Sequence, residues 1–194
     1  MQTSYSKYRA TLLLAVPLVA LGAFLVGCAL TGPGKPPLRT VSHVDLPRYM
    51  GHWRVIAEIP YFAERNGVDS IESYALLPDG SIYNWFTMRK GGFSAPETRF
   101  TAHGYVVNRQ TNAEWKVKFL GGLITAPYVI IDLDPNYQWT VVGPPSRNYG
   151  WIMARAKTMP DSTYDAILKR LAAQGYDPAR FQKVPQVPAG LTQH

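Results

Sequence analysis

The stretch Tyr49-Met50-Gly51-His52-Trp53 sets the architecture, because it places a glycine and a tryptophan two residues apart where the first β-rich run begins. Glycine lets another segment approach where a side chain would block it. Tryptophan buries a large apolar area and is enriched in strands. We therefore expect this stretch to start the first strand of an all-β domain and to serve a structural role there.

Short β-rich runs continue from this stretch almost to the C-terminus, and turn residues such as Pro78-Asp79-Gly80 separate them. The chain has 194 residues with 12 Tyr, 7 Phe and 5 Trp, which suits one aromatic β domain. Runs at hairpin spacing predict a sandwich or barrel. The predicted strands are residues 53–59, 70–77, 82–88, 98–107, 114–120, 128–133, 138–142 and 149–155.

One helix is predicted between Asp161 and Gly175, because apolar residues recur there at positions i, i+3, i+4 and i+7. An apolar stripe of this kind packs against the host domain, so we expect the helix on the outside of the sheet. The residues of the stripe are Tyr164, Ile167, Leu168 and Leu171.

Successive connections of an up-and-down sheet alternate between its two ends, and counting them from Trp53 brings five separate residues to one end. We expect the Arg155 guanidinium to lie over the Trp53 indole, a cation–π contact worth about 0.5–2 kcal/mol. These residues are predicted to form a structural barrel floor rather than a catalytic site. They are Gly51, Trp53, Asp134, Tyr137 and Arg155.

The loops at the opposite end contain apolar residues at their tips, where polar residues are usual. Exposed apolar groups mark a binding mouth or a membrane contact, although they can also fold back as a lid with no ligand. An eight-stranded barrel is wide enough for one small ligand, which favours a mouth. The predicted entrance residues are Tyr61, Phe62, Phe93 and Leu123.

The cavity lining is predicted from the alternation of side chains along a strand. In the run 114–120 the charged residues alternate with Trp115, Val117 and Phe119, so these three are expected to point inward. Tyr128, Ile130 and Trp139 are further candidates from the next two strands. Alternatively, these rings fill the barrel completely and leave no room for a ligand.

Three blocks of this sequence together resemble the lipocalin family, and most closely its bacterial outer-membrane lipoproteins. The blocks are Gly51-x-Trp53, Leu133-Asp134-Pro135-Asn136-Tyr137 and Trp151-Ile152-Met153-Ala154-Arg155. The resemblance covers residues 44–185. It implies an all-β fold, an eight-stranded antiparallel up-and-down β-barrel with a C-terminal α-helix packed outside. It also implies binding of a fatty acid or lysophospholipid for storage or transport in the bacterial envelope.

The N-terminus has the features of a secretory signal, with Lys7 and Arg9 before an apolar run over residues 12–26. The only cysteine of the chain, Cys28, follows Gly27, and residues 25–28 resemble a bacterial lipoprotein box. This predicts cleavage between Gly27 and Cys28, with a signal peptide over residues 1–27, and lipidation of Cys28. A flexible tether (28–43), the barrel (44–185) and a tail (186–194) then follow.

The same resemblance, with Ala29 after the cysteine, implies lipid anchoring to the outer membrane of a Gram-negative bacterium. The alternatives are an ordinary secretory signal or an uncleaved anchor with an incidental cysteine.

Other functions have weaker support in the sequence. The net charge of +7 comes from scattered residues, which argues against nucleic acid as a partner. No metal, cofactor or catalytic motif is recognisable, so we predict a binding protein, either a monomer or a homodimer. An enzyme acting on a hydrophobic substrate and a structural envelope protein with a filled barrel are the alternatives. Arg89, Lys90 or Lys118 is predicted to pair with an anionic ligand head.

Overall fold

The computed structural model describes residues 37–188. The predicted signal peptide, Gly27, Cys28 and the first part of the predicted tether lie outside the described residues. The α-helices and strands are α1 Leu46–Tyr49, β1 Gly51–Ile59, β2 Gly67–Leu76, β3 Ile82–Lys90, β4 Glu97–Val106, β5 Glu114–Phe119, β6 Ile124–Leu133, β7 Trp139–Gly143, β8 Gly150–Ala154, α2 Asp161–Ala173 and β9 Gln182–Lys183.

Strands β1 to β8 pair antiparallel in sequence order, and β1 also pairs with β8, which closes the sheet. The predicted eight-stranded up-and-down barrel is therefore confirmed. Strand β6 is longer than predicted, since residues 124–127 continue the pairing with β5. The β3–β4 hairpin projects beyond the end of β5, because the β4–β5 pairing stops at Ala102 and Phe119 while β4 extends back to Glu97.

The C-terminal segment completes the barrel wall, although residues from 186 onward were predicted as a tail. The β1–β2 pairing covers only the first residues of β1, and β9 pairs with Ala57 and Glu58 farther along that strand. Beyond β9, the buried Gln186 amide donates hydrogen bonds to the carbonyl oxygens of Val55 (2.8 Å) and Ser70 (3.1 Å). The wall therefore extends through Gln186, which joins β1 to β2 where they separate.

Two hydrophobic clusters lie on the two sides of the barrel wall. The inner cluster lies inside the barrel and packs around Trp53 and Trp115. In the outer cluster, Tyr164, Ile167 and Leu171 of α2 are buried against side chains of β1, β6, β7 and β8. The predicted helix and its position outside the barrel are thus confirmed.

Part of the predicted tether packs on the barrel. The Val41 amide donates to the Ile130 carbonyl oxygen at 3.2 Å, and the Arg39 amide donates to the Gln174 side chain at 2.8 Å. Leu38 contacts the outer cluster. Residues 37–43 are therefore held by backbone hydrogen bonds and apolar contact. None of the helices within residues 37–188 has the length and apolar character needed to span a bilayer.

Candidate ligand-binding cavity

The closed end of the barrel is built around Arg155, which follows β8. Its Cζ lies 3.6 Å from the Trp53 ring centroid. Its Nη1 donates to the His52 carbonyl oxygen at 2.8 Å, and its Nη2 lies 2.9–3.1 Å from the carbonyl oxygens of residues 48–50. One cation thus ties the end of β8 to the segment that enters β1. Gly51 has a φ of 93°, and a Cβ there would lie 3.4 Å from Arg155 Nη1.

The turn between β6 and β7 brings Asp134 and Tyr137 to the same end. The Asp134 carboxylate accepts from the amides of Asn136 and Gln138, which fixes the turn. The Tyr137 hydroxyl accepts from the Asp45 amide at 2.9 Å, immediately before α1. The five predicted floor residues therefore lie at one end. Asp134 stabilises its own turn, and Tyr137 bonds to the residue that precedes α1.

Aromatic rings pack directly above this floor. Tyr49, Tyr74, Trp115 and Tyr128 contact one another, with Trp115 and Tyr128 stacked at 4.7 Å between centroids. Their hydroxyl groups form a chain in which Tyr128 bonds to Tyr49 at 2.8 Å and to Tyr74 at 2.9 Å. Burial raises the pKa of all three tyrosines. The layer therefore carries no charge at neutral pH and separates the floor from the space above it.

A cavity of about 340 Å³ opens above these rings toward the other end of the barrel. This volume falls in the lower part of the range for small-molecule sites, about 300–1,000 Å³. Its wall is mostly apolar. The lining residues are Tyr61, Phe62, Ala63, Glu64, Glu72, Tyr74, Asn84, Phe86, Phe100, Thr101, Ala102, Val117, Phe119, Ala126, Pro127, Tyr128, Val142, Trp151 and Met153.

Some of the residues predicted for the cavity line it and others do not. Val117, Phe119 and Tyr128 are in the lining, and so are the predicted entrance residues Tyr61 and Phe62. Trp115 and Ile130 are buried within the inner cluster and are not in the lining.

Three further predicted residues lie away from the cavity. Trp139 packs against the outer cluster, with the Arg170 guanidinium of α2 at 5.3 Å from its ring centroid. It therefore faces the helix rather than the barrel interior, where it was predicted. Phe93 is half-buried in the β3–β4 loop, and Leu123 is 87% exposed beside the β5–β6 turn. Both are absent from the lining.

Three carboxyl groups that the sequence reasoning missed meet inside the barrel. Glu58 is opposite Trp151 in the β1–β8 register, and Trp151 lines the cavity, so Glu58 lies on the inner face. Its carboxyl hydrogen-bonds that of Glu64, which also accepts from Trp151 Nε1 at 3.1 Å. Glu72 accepts from Asn84 Nδ2 at 2.6 Å and bonds to the Tyr74 hydroxyl. We call Glu58, Glu64 and Glu72 the carboxyl cluster.

The protonation of this cluster is unusual. Burial, with added repulsion from Glu64, raises the pKa of Glu58 to about 8. Burial also raises the pKa of Glu72 to about 8, against the opposing hydrogen bond from Asn84, and it raises the pKa of Glu64. A carboxyl–carboxyl hydrogen bond requires a shared proton, so Glu58 and Glu64 are not both ionised.

The basic residues predicted to pair with a ligand head do not line the cavity. Arg89 donates to the Ala95 carbonyl oxygen at 2.7 Å and faces Asp69. Lys90 reaches toward the Ala63 carbonyl oxygen, and Lys118 lies over the Tyr105 ring. Among the described residues that line the cavity there is no Lys, Arg or His. Within residues 37–188, no group of three His, Cys, Asp or Glu side chains has a geometry that could hold a metal ion.

The sequence contained a partial signal for the carboxyl cluster. Glu58 is the only charged residue in the otherwise apolar run 55–59, and Glu72 shares the alternation face of Tyr74. An isolated charge in an apolar strand is a sign of a buried polar group. Glu64 lies in the β1–β2 loop, where no periodicity indicates which way a side chain points.

A closed antiparallel barrel with one sealed end and one open apolar cavity defines the class of small-molecule-binding up-and-down β-barrels. Within that class, this chain belongs to the lipocalin-like family, since the family model described as "Lipocalin-like domain" matches residues 44–186.

Comparisons with individual proteins agree with this family. The chain is 31% identical to temperature-induced lipocalin-1 of Arabidopsis thaliana, covering 78% of this chain and 84% of that protein. It is 31% identical to the outer membrane lipoprotein Blc of Escherichia coli K12, covering 88% and 97%. Among solved structures, insecticyanin from the tobacco hornworm Manduca sexta has a TM-score of 0.65 at 16% identity, covering 81% and 89%.

Proposed function

We propose that this protein is a lipid-anchored carrier that binds one single-chain lipid, a fatty acid or a lysophospholipid, in the barrel cavity for storage or transport in the bacterial envelope. The observation that carries the proposal is the open, mostly apolar cavity of about 340 Å³ above a sealed floor. Burial of an acyl chain there would supply affinity at about 25 cal/mol per Å² of apolar surface, before the costs of association.

The loops around the mouth are the proposed entrance. Phe62 is 65% exposed and lines the cavity, so it is in contact with both solvent and the binding space. Tyr61 packs between the rings of Phe62 and Tyr149 at the rim. Leu123 and Phe93 lie on neighbouring loops outside the lining. An apolar rim of this kind suits the passage of a lipid chain from a membrane surface.

The anchoring and location are proposed from the N-terminal sequence together with the relatives. Three bacterial relatives at 28–32% identity are named outer membrane lipoproteins. Cys28 follows a signal-like segment, so we propose that it carries the lipid and holds the barrel at the outer membrane of a Gram-negative bacterium. The barrel is proposed to act by binding rather than catalysis, as a monomer or homodimer.

The test is displacement of a neutral fluorescent probe, phenylnaphthylamine, by lysophosphatidylethanolamine and by a fatty acid. The chain from Ala29 onward is suitable, because the strands and both clusters of the described region lie within residues 38–186. Saturable binding near one to one is expected. Ala126→Trp, which adds an indole to the cavity wall, should abolish binding, whereas Ala172→Trp on the exposed face of α2 should not. Equal binding by both variants would contradict a site in the cavity.

A further inference from the structure

The carboxyl cluster gives the inside of the barrel ionisable groups that can carry only negative charge. Its members come from three consecutive segments: Glu58 from β1, Glu64 from the β1–β2 loop and Glu72 from β2. Glu64 and Glu72 line the cavity directly, and Glu58 is joined to it through the Glu58–Glu64 hydrogen bond. Because the described lining has no basic side chain, nothing in it offsets this acidity.

The hydrogen bonding of the cluster is incomplete. Glu58 is only 4% exposed, and no N–H or hydroxyl donor of the described residues bonds to its Oε2. By contrast, Glu64 accepts from Trp151 and Glu72 accepts from Asn84. A buried acceptor with no donor costs folding free energy, and natural proteins retain few of them. A bound group that brings several N–H donors into this corner would satisfy the free acceptor capacity.

We propose that the carboxyl cluster selects single-chain lipids whose head carries an ammonium group, and that it disfavours free fatty-acid anions at neutral pH. The inference rests on the proposed function, since it names the head chemistry of the lipid bound in the same cavity. An ammonium group has three donors and a positive charge, and its attraction to carboxylates is strong in an apolar site. A fatty-acid carboxylate brings no donor, and its negative charge opposes ionisation of the cluster.

Proton release accompanies this recognition. In the empty barrel, burial raises the pKa of Glu58 and Glu72 to about 8, so both are mostly protonated at neutral pH. An ammonium head favours their ionised forms, and the displaced protons pass to the solvent. Titratable groups near the cluster include the Tyr74 hydroxyl and, along the hydroxyl chain, those of Tyr128 and Tyr49, whose pKa values are raised. Glu58 also lines a second pocket with Arg65 and Lys183. Affinity for ammonium lipids should therefore increase with pH toward 8.

Displacement titrations with three probes of equal chain length test this: dodecylamine, dodecanol and dodecanoate, each against phenylnaphthylamine at neutral pH. Dodecylamine is expected to bind at least about tenfold tighter than dodecanoate. Lysophosphatidylethanolamine should likewise bind tighter than lysophosphatidylglycerol, which has the same phosphate without the amine. The second pair tests whether the cluster also recognises an ammonium group that is part of a phospholipid head, and the first pair tests a simple amine.

Isosteric variants locate the effect. Glu64→Gln combined with Glu72→Gln should reduce the affinity for dodecylamine at least about tenfold and weaken its pH dependence, while the affinity for dodecanol is unchanged. Glu97→Gln on the exposed start of β4 makes the same change away from the cavity and should leave all three affinities unaltered.

The alcohol separates the two proposals. If dodecanol binds but dodecylamine has no advantage over dodecanoate, or keeps its affinity in the double variant, the ammonium proposal is overturned and the carrier function stands. If none of the lipids binds to the folded barrel, the carrier function fails and the ammonium proposal fails with it.

Discussion

The two ends of this barrel satisfy their polar groups in opposite ways. At the closed end, one guanidinium from Arg155 faces backbone carbonyl oxygens of five residues and covers the Trp53 ring. Toward the open end, Glu58 Oε2 in the carboxyl cluster receives no hydrogen bond from an N–H or hydroxyl donor of the described residues. The rim there exposes apolar side chains such as Phe62. The contrast teaches that the closed end is organised for stability, and that the open end retains unsatisfied groups which a ligand can use.

Arg155→Ala should have the largest effect on stability, because it removes the cation that holds the closed end together and leaves the open end unchanged. It leaves carbonyl oxygens near α1 and β1 without their donors and uncovers the Trp53 ring. Hydrogen bonds from a charged group contribute about 1.5–3 kcal/mol each, without full additivity. We expect the free energy of unfolding to fall by about 3 kcal/mol or more, measured by urea denaturation, while the folded fraction still binds lipid.

Arg99→Ala is the matched control for Arg155→Ala. The Arg99 guanidinium lies over the Trp85 ring at 5.3 Å on the exposed side of the barrel, with no floor to support. Its loss should cost less than about 1 kcal/mol. If the two variants lost similar stability, the closed end would not have the special role assigned to it here.

The pH dependence of stability tests the open end. Glu58 and Glu72 keep their protons up to a pKa of about 8 in the folded chain, whereas ordinary glutamates release theirs near 4.5. Between these values the folded state binds more protons than the unfolded state, so stability decreases as pH rises. We expect the free energy of unfolding to fall across this interval, at up to about 1.4 kcal/mol per pH unit for each carboxyl that stays protonated in the folded chain.

Glu72→Gln should flatten this pH profile, because glutamine is neutral at every pH in the interval. Glu97→Gln replaces an exposed glutamate and should leave the slope unchanged. The measurement is a series of urea unfolding curves over pH for the three proteins. A slope that is identical in wild type and Glu72→Gln would mean that Glu72 does not hold a proton in the folded barrel.

The floor could be predicted from the sequence because each of its residues belongs to a recognisable block, and the strand count alone brings those blocks to one end. The cavity lining could be predicted only in part, because alternation identifies the inward-facing residues of a strand only when its other face is polar. In β7, Val141 faces the outer cluster and Val142 the inner one, since α2 covers the outside. Both faces of β7 are therefore apolar, so an alternation of polar and apolar residues could not show which way Trp139 points.

The carboxyl cluster left only a partial signal in the sequence, for a different reason. The β1–β8 register shifts between Val55 and Ala57, so simple alternation from Trp53 gives the wrong face for Glu58. Glu64 reaches the interior from a loop, where direction depends on tertiary contacts such as the Trp151 indole. Charged residues in an aromatic barrel are expected outside, and only the folded register shows them meeting inside.

The smallest expected effect concerns the exposed side chains of the two ends. Leu123→Ser removes an apolar side chain at the mouth, and Val107→Ser removes one, 51% exposed, from the loop after β4 at the closed end. Neither side chain is buried, so each change should alter the free energy of unfolding by no more than about 0.5 kcal/mol.

If the mouth docks on membranes, however, Leu123 contributes apolar surface to that contact at about 0.8 kcal/mol per buried methylene. We therefore expect Leu123→Ser to slow the transfer of lysophosphatidylethanolamine from vesicles into the barrel by about three- to tenfold, measured with stopped-flow fluorescence, and Val107→Ser to leave the rate unchanged. Equal rates for the two variants would show that lipid reaches the cavity from solution, and the apolar rim would then serve the cavity alone.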